Sequence, residues 1–181
     1  NIWENESIQN IDGIKNLITK PRSVSIHDNN SLQNISGLQG LDYVGRLIIS
    51  NNPQLQNLEG LNNVKVVSSN LTLSGLGIQN LNELGNLQAA RNLKIEDNNN
   101  LDNIEALSKL EIVQMNLYIN NNDALENLNG LENLHSVQRD LRINDNSSLS
   151  NFCGLRPLLI GNGLGENYNV YGNAYNPTKQ D

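Results

Sequence analysis

Apolar residues recur along this chain with a period of about two dozen residues. The clearest copy of the repeat begins at Leu117, and its consensus reads LxIxxNxxLxNLxGLxxLxxV. A partial copy enters at Ile8, and further copies begin at Val24, Leu47, Leu71, Leu93 and Leu141. A unit of this length cannot bury its apolar residues alone, so the pattern predicts repeats that stack and share one core.

Spacing within the repeat indicates the type of secondary structure. Counted from the first residue of each copy, positions 1 and 3 alternate with polar residues, as in a half-buried strand. Positions 9, 12, 15 and 18 are always apolar, from Ile8, Ile11, Ile14 and Leu17 to Leu149, Phe152, Leu155 and Leu158. Steps of three drift around a helix axis, so these residues would not share one helical face. Loops that turn inward every few residues satisfy the spacing.

We therefore predict an all-β fold, a right-handed parallel β-helix of about seven leucine-rich coils of 22–24 residues. Residues 1–160 are expected to form this single solenoid domain, which starts within a repeat. Residues 161–181 are expected to cap its C-terminal end, and Trp3 to cover the other end. Three of the five tyrosines lie in the tail, so a tyrosine-lined sugar site there is an alternative.

Asparagine accounts for 36 of the 181 residues, and many of these residues fall in two columns. Position 6 holds Asn29, Asn52, Asn98, Asn122 and Asn146. Position 11 holds Asn10, Asn34, Asn57, Asn80, Asn103, Asn127 and Asn151. Stacked amides can pair with each other and with bent backbone. We predict that the position-11 column, which is filled in every repeat, forms a structural ladder.

Charge and cysteine content exclude several classes of protein. The net charge is −7, and the sequence shows no basic cluster, which argues against a nucleic-acid partner. No apolar run is long enough for membrane insertion. The single cysteine, Cys153, cannot form an internal disulfide or a multi-cysteine zinc site, and its pairing with a cysteine elsewhere in a longer chain stays open. We expect no cofactor and no metal.

Candidate catalytic side chains are too far apart in the predicted coil. His27 and His135 are separated by four coils, or about 19 Å. The position-5 acids, Asp28, Asp97 and Asp145, lie two or three coils apart, about 10 to 14 Å. That separation exceeds the one used by retaining glycosidases and reaches only the upper edge of the inverting range. We therefore predict that the chain is not an enzyme.

The consensus LxIxxNxxLxNLxGLxxLxxV resembles the receptor L domain, a leucine-rich-repeat relative of growth-factor and insulin receptor ectodomains. The likeness covers about residues 7–160, in period, asparagine placement and the Gly-x-x-x-Leu spacing. The flanking cysteines of the animal receptors are missing, which favours a bacterial surface version. The resemblance implies a right-handed β-solenoid that binds or displays, outside the cell or on its surface, as part of a longer chain.

Position 2 of the strand faces outward and carries the candidate binding residues Ile48, Lys94, Tyr118 and Arg142. An exposed apolar and an aromatic side chain beside two cations are common in recognition patches, although a varied solvated strand looks the same. We expect a non-catalytic module for adhesion or for binding a protein or glycan. A polysaccharide-acting enzyme and a purely structural spacer are the alternatives.

Overall fold

The strand positions of the repeat form short parallel strands in a computed structural model, which describes residues 1–14 and 21–180. Apolar and polar residues alternate in these segments, as a pleated sheet with one buried face requires. The strands are β1 (Ile2–Trp3), β2 (Ser23–His27), β3 (Tyr43–Val44), β4 (Arg46–Asn52), β5 (Val66–Leu76), β6 (Ala89–Glu96), β7 (Ile112–Val113), β8 (Leu117–Asn120), β9 (Ser136–Val137), β10 (Leu141–Asn144) and β11 (Tyr168–Tyr171).

These strands pair in parallel and join, within the described residues, into one 11-stranded sheet. The main path is β1-β2-β4-β5-β6-β8-β10-β11, and β3, β7 and β9 add a second strip beside β5 and β6. Equivalent positions of successive repeats face each other, because Leu47 pairs with Leu71, Leu71 with Leu93 and Leu93 with Leu117. The predicted all-β class is thus confirmed as a parallel sheet with little helix, which is compatible with a β-solenoid.

Short turns connect the strands. The 3₁₀ turns are Asp12–Ile14, Ser36–Leu38, Asn82–Leu84, Glu105–Lys109 and Cys153–Leu155. In the described part of the chain, the only α-helix is α1 (Arg156–Ile160). No helix among these residues is long and apolar enough to cross a lipid bilayer.

The four apolar columns pack into one buried cluster. Between the ends of the sheet, the side chains at positions 9, 12, 15 and 18 have essentially no exposed surface. Ile8, Ile14 and Phe152, at the ends of the columns, are only partly buried, and Leu17 lies outside the described residues. Each fully buried leucine or isoleucine contributes roughly 1.5–3 kcal/mol through removal of apolar surface from water. Contact between repeats is therefore the main source of stability.

An amide ladder is present at position 6, not at position 11 as predicted. The position-6 asparagines are fully buried. Asn122, for example, donates its backbone N–H and its Nδ2 to Oδ1 of Asn146, at 3.0 and 3.2 Å. The same Nδ2 donates to the carbonyl oxygens of Ile95 and Asn120, both at 3.0 Å. Buried carbonyls at the strand ends need a donor from within the core, and position 6 supplies it.

The position-11 asparagines have a local role, which corrects the predicted ladder. These residues are exposed or half-buried, so each side-chain amide can serve its own turn. Asn127 is typical, because its Oδ1 accepts from the backbone N–H of Asn129 at 3.0 Å. The same bond forms at Asn10, Asn34, Asn57, Asn80 and Asn151. Asn103 differs and donates to Asp102. Among the described residues, no hydrogen bond joins one position-11 amide to the next.

The repeat that begins at Leu71 is shorter than its neighbours, and it has a leucine in place of the asparagine at position 6. Leu76 pairs with Asn52 in the sheet and occupies the place of the missing position-6 asparagine. It is 4% exposed, and its N–H donates to Oδ1 of Asn98 at 3.0 Å. The deletion is therefore accommodated by an apolar side chain in the ladder column, and it opens no notch at that position.

Both ends of the sheet differ in detail from the expectation. Trp3 does not cover the N-terminal end, because Ile2 faces inward and the period of two directs Trp3 outward, where it is 51% exposed. At the other end, β11 pairs in register with β10, and Asn173 continues the buried ladder. The segment predicted to be a cap therefore adds a strand to the sheet. Asp181 lies outside the described residues.

Candidate functional site

The outward side of the main strands forms one continuous surface, which we call the strand face. Alternation along each strand places three positions of every repeat on it: the residue before position 1, position 2 and position 4. On β4 these residues are Arg46, Ile48 and Ser50, whereas Leu47 and Ile49 between them are fully buried. The strands β2, β5, β6, β8 and β10 repeat this arrangement in register.

Three of the four predicted binding residues meet at the centre of a cluster on this face. Lys94, Tyr118 and Arg142 occupy successive strands in direct register. The Nζ of Lys94 lies 5.2 Å from the centroid of the Tyr118 ring, and the guanidinium carbon of Arg142 lies 5.0 Å from it. The two cations come from the strands on either side of Tyr118, so they cover both faces of the ring. Cation–π contact orders these charges at the surface.

The fourth predicted residue, Ile48, is not part of that cluster. It is half-buried and pairs with Ser25 on one side and Thr72 on the other. Two strand spacings, about 10 Å, separate it from Lys94. Ile48 therefore lies on the same strand face but at a distance from the cations.

Further basic residues that the sequence analysis missed lie on the N-terminal side of the strands. They are Arg22, Arg46, Arg91 and Arg139, and we call them, together with Lys94 and Arg142, the cationic stripe. The stripe holds half of the chain's 12 lysines and arginines. Arg139 is 3.2 Å from the carboxylate of Glu166, and Arg142 is 3.9 Å from that of Asp140. Within the described residues, the other four stripe members have no carboxylate within ion-pair distance.

A half-buried ladder of amides supports the stripe from within the strand face. Asn92 donates from Nδ2 to Oδ1 of Asn70 at 2.9 Å, and Asn116 donates to Asn92 at 3.1 Å. Asp140 and Asn167 continue this column, with a bond of 2.7 Å between their side chains. These contacts fix the strand ends from which Arg91, Lys94 and Arg142 project.

The opposite side of the strand face is acidic because of a backbone requirement. Position 5 has positive φ in every strand of the main path, between 53° and 70°. L-residues other than asparagine and aspartate rarely adopt this conformation, and glycine adopts it freely. Asp, Asn or Gly fills the position in seven of these eight strands, at Asp28, Asn51, Gly75, Asp97, Asn121, Asp145 and Gly172, and Glu4 follows β1.

Two of the position-5 carboxylates accept hydrogen bonds from neighbouring side chains. Asp97 accepts from Nδ2 of Asn121 at 2.9 Å and from the hydroxyl of Ser74 at 3.2 Å. Asp28 accepts from Nδ2 of Asn51 at 2.8 Å. These hydrogen bonds tie one strand end to the next, which is a structural use of the acids that sequence spacing left as candidate catalysts.

An aromatic group lies at the β1 end of the strand face. The rings of Trp3 and His27 stack with their centroids 6.0 Å apart and their planes at 14°. The Nδ1 of His27 lies 2.7 Å from a carboxylate oxygen of Asp28. The hydrogen bond from His27 lowers the pKa of Asp28 below its usual value, and the bond from Asn51 lowers it further. His135, in contrast, is exposed on a loop and contacts the carbonyl oxygen of Asn133.

A concave region lies at the C-terminal end. It has a volume of about 650 Å³, and Phe152, Cys153, Arg156 and Tyr175 are among its lining residues. The rings of Phe152 and Tyr175 meet edge to face at 6.3 Å. Cys153 is exposed and unpaired. Across the described part of the chain, no three histidine, cysteine, aspartate or glutamate residues are grouped closely enough to hold a metal ion.

Comparison of the chain with protein-family models, with curated proteins and with solved structures finds no match.

Proposed function

We propose that this chain is a non-catalytic binding or adhesion module of an extracellular or cell-surface protein. The strand face is its recognition surface, and the ligand is a protein or a glycan. The observation that carries the proposal is the cluster of Lys94, Tyr118 and Arg142, in which a half-buried aromatic ring orders two cations on the strand face. Aromatic residues and arginine are the side chains that dominate binding surfaces.

The finer architecture belongs to the same proposal. We propose a right-handed β-helix of about seven coils over residues 1–160, closed by residues 161–181, and related to the receptor L domain. In-register pairing of equivalent positions supports stacked coils. Right-handed crossovers are the rule for parallel strands in one sheet. The proposed setting is a longer surface protein.

A polysaccharide-acting enzyme is the main alternative, and the geometry of position 5 argues against it. Asp28, Asp97 and Asp145 occupy positive-φ sites that Asp, Asn or Gly fill in every repeat except that of β1, which has Glu4, and two of them accept hydrogen bonds from the next strand. Their presence therefore has a backbone cause. A structural spacer is the other alternative, and it predicts no ligand at all.

An array of glycans and surface proteins, combined with an activity screen on the same glycans, tests the proposal. We expect binding without turnover. The controls are Asp97→Asn and Asp145→Asn, which keep residue types that tolerate positive φ and should therefore fold. Turnover that either substitution removes would establish the enzyme instead. An array without any binding would establish the spacer.

A further inference from the structure

We infer that the strand face binds an acidic polysaccharide with one carboxylate for every two sugar rings. The inference rests on the proposed function and names the ligand class for the same surface. It starts from the separation of charge in a chain of net charge −7. The cationic stripe lies along the N-terminal side of the strands, whereas Asp28, Asp97 and Asp145 lie along the C-terminal side. A polyanion is therefore directed to one margin of the face.

Cation spacing selects the type of polyanion. Lys94 and Arg142 lie on β6 and β10, with β8 between them, so two strand spacings, about 10 Å, separate them along the sheet. Arg91 and Arg139 repeat this separation on the adjoining strand ends, which are linked through Met115. An extended polysaccharide with a carboxylate on alternate rings presents its charges at about the length of two rings, which matches this spacing.

Other polyanions fit the spacing less well. An extended acidic peptide presents side chains on one face about every 6.8 Å. Duplex DNA carries one charge per roughly 1.7 Å of its axis. Single-stranded nucleic acids also need exposed aromatic faces on which bases stack. The two faces of Tyr118 are occupied by Lys94 and Arg142, so that ring offers no such platform.

Free hydroxyl groups on the same face suit the uncharged parts of a sugar polymer. Ser25, Ser50 and Thr72 project from the strands at positions 2 and 4. Within the residues that the structure describes, no hydrogen bond engages their side chains. Sugar hydroxyls are both donors and acceptors, as are these side chains. The face thus combines cations on β6 and β10 for the carboxylates with neutral hydroxyls on β2, β4 and β5 for uncharged rings.

Binding of hyaluronan oligosaccharides to the whole chain tests this inference. Hyaluronan carries one carboxylate per disaccharide, and the probes for comparison are carboxyl-reduced hyaluronan, poly-glutamate and single-stranded DNA. We expect hyaluronan to bind most tightly and the reduced polymer to lose about tenfold or more in affinity. Binding of hyaluronan to the unmodified chain should also weaken steeply with added salt.

Paired variants locate the site. Lys94→Gln with Arg142→Gln should weaken hyaluronan binding about tenfold. Lys65→Gln with Lys109→Gln makes the same change in net charge away from the strand face and should change the affinity less than about twofold. Thermal melting of both double variants checks that they fold, and the salt and carboxyl-reduction measurements need no variant.

Equal loss in both double variants would overturn the inference, as would equal binding of carboxyl-reduced hyaluronan. Tighter binding of poly-glutamate or DNA would also overturn it. A neutral glycan that binds the strand face in place of hyaluronan would refute the acidic ligand and leave the proposed binding function intact. Failure of every ligand on the array would refute both.

Discussion

At the residue scale, the left-handed backbone at position 5 explains several side chains that resemble candidate catalysts. Asp28, Asp97 and Asp145 alternate with asparagine and glycine because the strands end in the same positive-φ conformation. Two of these carboxylates accept hydrogen bonds from neighbouring repeats, Asp28 from Asn51 and Asp97 from Asn121 and Ser74. An aspartate at position 5 is therefore explained first by the backbone conformation at the end of the strand.

Asp28 makes the stability of the β1 end depend on pH. Its pKa is lowered mainly by the hydrogen bond from His27 and then by the bond from Asn51. A carboxyl group with a lowered folded-state pKa stabilises the fold above its unfolded pKa of about 3.9, and this stabilisation is lost as the pH falls through the folded value. The stabilisation is thus complete near neutral pH and absent in strong acid.

Urea unfolding at several pH values below 6 measures this effect. We expect Asp28→Asn to reduce the loss of stability on acidification relative to the unmodified chain. His27→Phe keeps a ring beside Trp3 but removes the dominant hydrogen bond, so it should reduce the same loss. Identical pH profiles for all three chains would contradict the assigned partners.

The two asparagine columns should differ sharply in their effect on stability. Asn122→Leu leaves the carbonyl oxygens of Ile95 and Asn120 and the N–H of Asn98 without their partner. We expect a cost of about 3 kcal/mol or more in the free energy of unfolding. The matched change Asn103→Leu should cost less than about 0.5 kcal/mol, because that amide serves only its exposed neighbour Asp102. Denaturant unfolding of the two variants gives the comparison, and equal costs would refute a ladder at position 6.

At the scale of the structural element, close approach of one repeat to the next sets the role of the position-14 glycines. A methyl group at Gly154 would collide with the carbonyl oxygen of Leu128 in the preceding repeat. Gly13 occupies the same column at the end of the sheet, and a methyl group there would meet no atom within 4 Å. The same residue type thus has a packing reason at one site and none at the other.

Alanine substitution at both glycines tests this contact. Gly154→Ala should lower the free energy of unfolding by about 1–3 kcal/mol, since a backbone atom must move. Gly13→Ala should be neutral or slightly stabilising, because it restricts only the unfolded chain. Thermal unfolding of the two variants separates them, and a harmless Gly154→Ala would show that the repeats are not in such close contact.

A feature of this fold can be predicted from the sequence when the same residue type recurs at the same position of each repeat. Leucine and isoleucine recur in this way, so the buried core was predicted apart from its partly exposed ends at Ile8, Ile14 and Phe152. Both asparagine columns were visible as well, but periodicity alone does not show which amide faces the core. The burial of Asn122 and the turn at Asn127 decide that question, and both depend on the backbone direction.

The candidate site was only partly predictable. Lys94, Tyr118 and Arg142 share one position and were found together. Arg46 and Arg91 lie far apart in the sequence and before position 1. The sequence therefore contains no run of basic residues that would indicate the cationic stripe. The place of Trp3 on the strand face was missed because two residues of an edge strand give too little alternation to fix a direction.

At the scale of the whole molecule, the parallel sheet separates the residues that stabilise the fold from those that we propose to bind a ligand. Apolar columns hold the repeats together on the inner side, and the buried amides satisfy the strand ends. The outward positions are then free to vary, so they can carry Arg46, Lys94 and Arg142 of the cationic stripe without cost to the core. This separation is the physical basis for proposing a binding module on this fold.

Blocking the strand face with a bulky polymer tests whether this surface is where the ligand binds. In a Cys153→Ser background, Thr72→Cys places one thiol in the middle of the face, and Ser108→Cys places one on a turn away from it. Each is coupled to a polyethylene glycol maleimide and tested against the ligands bound by the unmodified chain. We predict that the polymer at position 72 abolishes binding and that the polymer at position 108 leaves it within about twofold. Binding that is retained with position 72 blocked, or binding that is lost with only position 108 blocked, would show that the strand face is not the binding surface.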